Sequence, residues 1–201
     1  MKQLKSANKK MTLTKHRAVF LDRDGTVNLE VDYLKSIKDL RLIRNTAKAI
    51  RLLNQNQIKV IIVTNQSGIS RGLFSINDLD TIHNELKKRL RKQGAYIDAI
   101  YYCPHHPDEK CSCRKPKSGM FKLAARDFDL KLNKCYVIGD KLTDIKSARN
   151  ISAAGVLVRT GYGKSEQNKL GESDIAPEHV AENLYDAVKW IIKDINRGEN
   201  D

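Results

Sequence analysis

Along the chain, short uninterrupted apolar runs alternate with stretches whose apolar residues recur every three or four positions. The runs are Ala18-Val-Phe-Leu21, Lys59-Val-Ile-Ile-Val63, residues 97–102, Tyr136-Val-Ile138 and Val156-Leu-Val158. Each is short and bounded by polar or turn-forming residues, which predicts five buried strands. Between them, residues 46–55, 76–92, 119–129 and 143–153 have helical spacing, and 181–195 closes the chain in the same way; in the longest, Leu79, Ile82, Leu86 and Leu90 form one stripe. Strand and helix in strict alternation predict an α/β fold, a parallel sheet with helices on both faces.

In an open parallel sheet, ligands bind in the crevice beyond the carboxyl ends of the strands. The segments to read are therefore Asp22-Arg-Asp-Gly, Thr64-Asn-Gln-Ser-Gly, the stretch from Cys103, Gly139-Asp-Lys and Arg159-Thr-Gly. Asp22 and Asp24 stand two positions apart, so one can end the strand while the other turns with the loop. Two such acids can divide roles, one ionised as nucleophile or metal ligand, the other donating a proton. Asp-x-Asp-Gly is also an ordinary turn sequence. Thr64 can face an anion or cap a turn. Asp140 brings a third carboxylate to the same edge, next to Lys141. Three converging carboxylates require a hard cation between them, and oxygen ligands suit Mg²⁺. Asp144, one turn on, reads as a helix cap or a brace for nearby backbone.

Three of the four cysteines and two of the five histidines fall within residues 103–116. Cys103, His105, Cys111 and Cys113 form a Cys-x-His and Cys-x-Cys set suited to tetrahedral Zn²⁺. His106 is the alternative ligand, and the i, i+2 spacing from Cys103 favours His105. Four protein ligands leave no open position for water, so the expected metal is structural. Arg114 and Lys115 follow the last ligand directly.

Composition narrows the setting. No apolar run approaches the roughly 20 residues of a membrane span, and the basic start lacks a signal-peptide pattern. Clustered thiols suggest metal ligation in a reducing compartment, so a cytoplasmic protein without a membrane partner is expected. Of the net charge of +13, Lys2, Lys5, Lys9, Lys10, Lys15 and Arg17 supply six. Residues 1–16 are expected to be a basic, solvated tail, residues 17–196 one domain and 197–201 a second tail. Nucleic acid is not the expected partner, because aromatics make up only 6% of the chain and do not interleave with arginines near the motifs. A monomer is expected, since no apolar stripe is left over once the core is assigned.

Asp22-Arg-Asp-Gly-Thr26, Thr64-Asn-Gln66, Lys115 and Gly139-Asp-Lys-Leu-Thr-Asp144 resemble, in order and spacing, the four motifs of the haloacid-dehalogenase-like phosphatases. The resemblance spans residue 17 to about 195. It implies a Rossmann-like sheet without a separate cap domain, Asp22 as nucleophile through an aspartyl-phosphate, and Asp24 as general acid and base. It also implies Thr64 and Lys115 on the phosphoryl oxygens, and Mg²⁺ held by Asp22, the Asp24 carbonyl and Asp140.

The zinc loop ending in Cys-Arg-Lys-Pro looks like two relatives, the heptose-bisphosphate 7-phosphatases and the histidinol-phosphate phosphatases. Residues 64–72, 101–107, 117–120 and 156–161 favour the first, whose substrate is a small phosphorylated sugar. Contacts implied with such a substrate are Arg23, Glu30, Val31, Asp32, Tyr33, Asn65, Gln66, Ser67, Arg114 and Lys141. The short Cys103–Cys111 spacing resembles the second. A nucleic-acid end phosphatase and a non-catalytic zinc module are the remoter alternatives.

Overall fold

The computed structural model describes residues 16–172 and 174–197. The expected tails therefore lie outside the described residues, except for His16 and Arg197. The strands are β1 (Ala18–Leu21), β2 (Lys59–Asn65), β3 (Ala99–Cys103), β4 (Tyr136–Gly139), β5 (Ala154–Val158) and β6 (His179–Ala181). The helices are α1 (Thr46–Gln55), α2 (Ile76–Arg91), α3 (Gly119–Phe128), α4 (Leu142–Asn150), α5 (Gly163–Asn168) and α6 (Leu184–Arg197).

The strands form one six-stranded sheet in the order β3-β2-β1-β4-β5-β6, and every pairing is parallel. β1 is buried along its whole length, and its side chains alternate between two cores. Val19 and Leu21 face a core shared with Ile50 and Leu53 of α1, Ile82 and Leu86 of α2, and Val188 and Ile191 of α6. Ala18 and Phe20 face Met120, Phe121 and Ala124 of α3 and Ala148 of α4. Phe20 meets Phe121 edge to face at 5.1 Å. Burial on both faces explains why these strands read as continuous apolar runs.

Three elements differ from the sequence expectation. The final helix begins at Leu184 rather than at residue 181 because the Asn183 side chain accepts hydrogen bonds from the backbone N–H groups of Tyr185 and Asp186. The residues before it pair as a sixth strand, with Val180 opposite Leu157. The short helix α5 is polar throughout, Gly-Lys-Ser-Glu-Gln-Asn, and has no apolar stripe to announce it. Among the described residues, no helix is long and apolar enough to cross a membrane.

The chain reverses direction across the sheet beside β1, with β2 and β3 added on one side and β4 to β6 on the other. The crevice at the carboxyl ends of β1, β2 and β4 is the topological switch point, and the Asp22, Thr64 and Asp140 segments all emerge there.

Candidate active site and metal centres

Asp22 is held at the end of β1 by its backbone N–H, which donates to Ile138 O of β4 at 2.9 Å. Lys115 Nζ reaches the same spot from the loop before α3, donating to Asp22 Oδ1 at 2.8 Å and Asp144 Oδ1 at 2.6 Å. All three side chains are almost fully buried. Burial alone would pull the Lys115 pKa down, but Asp144 and Asp22 more than offset it, so the ammonium is held charged.

Asn65 at the end of β2 fixes this lysine from behind. Its side chain accepts from the Lys115 N–H at 3.0 Å and donates to the Lys115 carbonyl at 3.2 Å. Asn65 faces the cleft, yet its amide group is committed to the Lys115 backbone.

The carboxylates that converge are Asp22, Asp140 and Asp144, whose oxygens lie within 4.8 Å of one another. This corrects the expectation that Asp24 would be the third. Asp144 caps α4, accepting from Lys141 N–H at 3.2 Å, and also serves the site as an ion-pair partner of Lys115. Burial, followed by the charges of Asp22 and Asp144, pushes the Asp140 pKa up to about 8. Asp140 Oδ2 accepts from Tyr162 N–H at 2.8 Å, while its buried Oδ1 has no partner. Gly25 and Gly161, both at positive φ, pack so closely that a Cβ on either would sit 2.2 Å from Asp140 Oδ2. An orphaned buried carboxylate oxygen within an acidic cluster is the donor set of a small hard cation, so these residues fit Mg²⁺.

Asp24 turns away from that cluster. Arg23 Nε and Nη2 donate to its two oxygens at 3.0 and 2.8 Å, and Asn28 and Gln66 add one hydrogen bond each. Burial would raise its pKa, but these donors reverse the effect and hold the carboxyl below the usual value. Gln66 Nε2 also donates to Thr64 Oγ1 at 2.9 Å. Arg23 itself requires a correction. Its side chain is fully buried and absent from the cleft wall, because its guanidinium is occupied by Asp24, Gln66 and His83. It braces the site and cannot contact a ligand.

The cleft above these groups has a volume of about 410 Å³, within the usual range for a small-molecule site. Asp22, Asp24, Glu30, Val31, Asp32, Tyr33, Thr64, Asn65, Gln66, Ser67, Arg114, Lys115 and Lys141 all line it, together with Leu34, Thr143 and Tyr162, which the sequence reading missed. Lys141 Nζ pairs with Glu30 at 3.2 Å and lies 4.5 Å over the Tyr162 ring. Burial, with Asp24 and Asp22 nearby, raises the Glu30 pKa despite Lys141. Tyr162 follows a strand end by four residues, which is the only sequence signal it carries.

Beside the cleft, Cys103, His105, Cys111 and Cys113 bring their ligand atoms together. The three sulfurs are 3.3–3.6 Å apart, and His105 Nδ1 lies 3.2 Å from Cys113 and 3.5 Å from Cys103. A tetrahedron with Zn–S arms of about 2.3 Å has edges of roughly 3.7 Å, so the four atoms can hold zinc. His106 is instead turned to Asp108, at 3.1 Å. The loop is tied to the sheet by Gln66 N–H donating to Cys103 O at 2.7 Å. Arg114 Nη1 reaches His105 O at 3.4 Å, so the loop supports the cation that precedes Lys115.

This geometry has close counterparts. A HAD-hydrolase-like family model matches residues 112–187. A D-glycero-D-manno-heptose-1,7-bisphosphate 7-phosphatase of Thermosynechococcus vestitus is 40% identical over 185 residues, covering 87% of this chain and 94% of that protein. The chain belongs to this family of HAD-like phosphatases.

A second member, from Haemophilus ducreyi, is 37% identical over 183 residues, covering 87% of this chain and 98% of its own. Among solved structures, the D,D-heptose 1,7-bisphosphate phosphatase from B. bronchiseptica, complexed with magnesium and phosphate, superposes with a TM-score of 0.82. It has 35% identity over 89% of this chain and 99% of its own. The family's fold, a Rossmann-like parallel sheet with helices on both faces, agrees with the sequence reading, as does the reaction class, phosphomonoester hydrolysis.

Proposed function

We propose that the protein removes the 7-phosphate of D-glycero-D-manno-heptose 1,7-bisphosphate, with Asp22 as nucleophile. The observation that carries this reading is Asp22 at the strand end with Lys115 Nζ 2.8 Å from its oxygen, inside a cleft whose rim bears Arg114 and Lys141. The relatives' named substrate has two phosphate groups, and the cleft offers cations at two levels, Lys115 deep and Arg114 with Lys141 at the mouth.

In this reading the 7-phosphate enters over Lys115 and Thr64, which bind its oxygens, and an Asp22 oxygen attacks phosphorus as the bond to the C7 oxygen breaks. Asp24, ionised between its donors, relays to the departing oxygen a proton brought in by the phosphate monoester. Water then attacks the aspartyl-phosphate, with its proton going to Asp24 and inorganic phosphate leaving. Asp22, Asp140 and the Asp24 carbonyl would hold Mg²⁺, which would supply charge neutralisation around the transferring group. Arg114, Lys141 and Glu30 orient the rest of the sugar phosphate, with Val31, Asp32 and Tyr33 forming the facing wall. Before substrate arrives, Glu30 neutralises Lys141, and a bound phosphate replaces that carboxylate.

Zinc at the Cys103 centre is a clamp, because its four ligands leave no position for substrate or water. The remainder of the reading is a cytoplasmic monomer, the free cysteines being in keeping with a reducing compartment. Comparing kcat/KM on heptose 1,7-bisphosphate and histidinol phosphate tests the substrate. The heptose ester is expected to be preferred by at least about a hundredfold, as pocket contacts to several polar groups provide, and preference for histidinol phosphate would overturn it.

A further inference from the structure

His83 is the only polar residue on the buried side of α2, among Leu79, Ile82, Leu86 and Leu90. Its Nε2 lies 3.2 Å from Arg23 Nη1. Arginine can only donate, so Nε2 is the acceptor and the ring is neutral with its proton on Nδ1. Burial, then the Arg23 charge, pushes its pKa down to about 3, which keeps it neutral at any working pH. The ring packs against Tyr102 of β3, with centroids 6.0 Å apart.

Arg23 is fully buried, so its guanidinium has no access to water and its orientation is set by protein partners. Nε and Nη2 fork onto Asp24, Nη2 also reaches Gln66 Oε1 at 3.2 Å, and Nη1 is taken by His83. Removing the His83 acceptor leaves a buried donor without its partner, and the planar guanidinium that turns to find another carries its fork off the Asp24 carboxylate.

We propose that His83 is a positioning residue for the acid–base step: by accepting a hydrogen bond from Arg23 it fixes the guanidinium fork and, through it, Asp24. The proposal rests on Asp24 being the acid–base group. Its signature follows from the chemistry of the first step. As the Asp22–phosphorus bond forms and the ester bond breaks, a sugar oxygen leaves poorly without a proton delivered through Asp24, whereas a 4-nitrophenoxide leaves without one. A histidine that merely fills core volume would affect both substrates alike.

The test measures kcat/KM with Mg²⁺ on heptose 1,7-bisphosphate and on 4-nitrophenyl phosphate for wild type, His83→Leu, His83→Phe, His83→Gln and Asp24→Asn. Circular dichroism and thermal melts verify the fold. His83→Leu should lower turnover of the sugar ester by about tenfold or more and leave the aryl ester within about threefold of wild type. His83→Phe keeps the ring packed on Tyr102 without an acceptor and should show the same split even if the leucine variant folds poorly. His83→Gln, which restores an acceptor, should recover the sugar ester. Equal losses on both substrates, no loss, or a glutamine variant as poor as leucine would overturn the proposal. If Asp24→Asn itself fails to discriminate the two esters, the acid–base role of Asp24 falls; a split in Asp24→Asn without one in the His83 variants removes the His83 role alone.

Discussion

At the residue scale, the site is organised by where buried charge finds a partner. Lys115 lies between two carboxylates, Arg23 is taken up by Asp24, and Asp140 keeps one oxygen unpartnered. His83 provides a test that does not depend on turnover. Its pKa is lowered from 6.5 to about 3 by burial and by Arg23 and Lys87, against the opposing charge of Asp24. A group whose folded pKa is depressed below its unfolded value takes up a proton on unfolding. Its contribution is therefore complete above pH 6.5 and is lost as pH falls toward 3. The slope of unfolding free energy against pH between about 6 and 4 should be shallower in His83→Gln, by up to about 1.4 kcal/mol per pH unit. Denaturant titrations across that range measure it, and parallel slopes would contradict the buried neutral imidazole.

Single residues were legible in the sequence where they followed a strand end. Asp22 and Asp140 directly follow β1 and β4, Thr64 and Cys103 close β2 and β3, and Lys115 is read from its place directly after the zinc set. Arg23 was misread because an arginine between two acids resembles a ligand contact until its burial is known. His83 shares the helical stripe of Leu79, Ile82, Leu86 and Leu90 and Tyr162 stands four residues past a strand end, but neither position reveals a polar partner, so only the packed fold shows what they touch.

At the scale of elements, the strand ends act through neighbours in the sheet. Asn65 brackets the Lys115 backbone with two hydrogen bonds. Asn65→Ala should therefore cost about 1–3 kcal/mol in stability and lower kcat by releasing a lysine it does not itself replace. A normal kcat with unchanged melting temperature would contradict this. The zinc loop acts one step further back, through the direct sequence Cys113-Arg114-Lys115. Stripping zinc with a chelator should reduce turnover by roughly a hundredfold, the effect of displacing a reacting-site group by about an ångström. Added Mg²⁺ should not restore it and added Zn²⁺ should. Full activity in the zinc-free protein would remove the clamp role. The five long strands and five of the six helices were legible because burial on one or both faces leaves an apolar signal. β6 and α5 were not, since three residues and a polar hexapeptide leave none.

At the scale of the whole molecule, one sheet reversal gathers four chain segments that are far apart in sequence into one crevice. The cap-free cleft leaves substrate recognition to loops and cations at its rim. The reaction was legible because four motifs occur in order, three of them at strand ends; the substrate was less so, because the short Cys103–Cys111 spacing resembles one family while the surrounding stretches resemble the other. The central claim is phosphoryl transfer to Asp22 from the seventh carbon of the sugar. It is tested most directly by following heptose 1,7-bisphosphate by ³¹P NMR with Mg²⁺, using wild type and Asp22→Asn. The wild type should lose the 7-phosphate signal and leave the 1-phosphate, and the variant, folded and zinc-loaded, should release none. Release from the first carbon, or near wild-type turnover by Asp22→Asn, would contradict it.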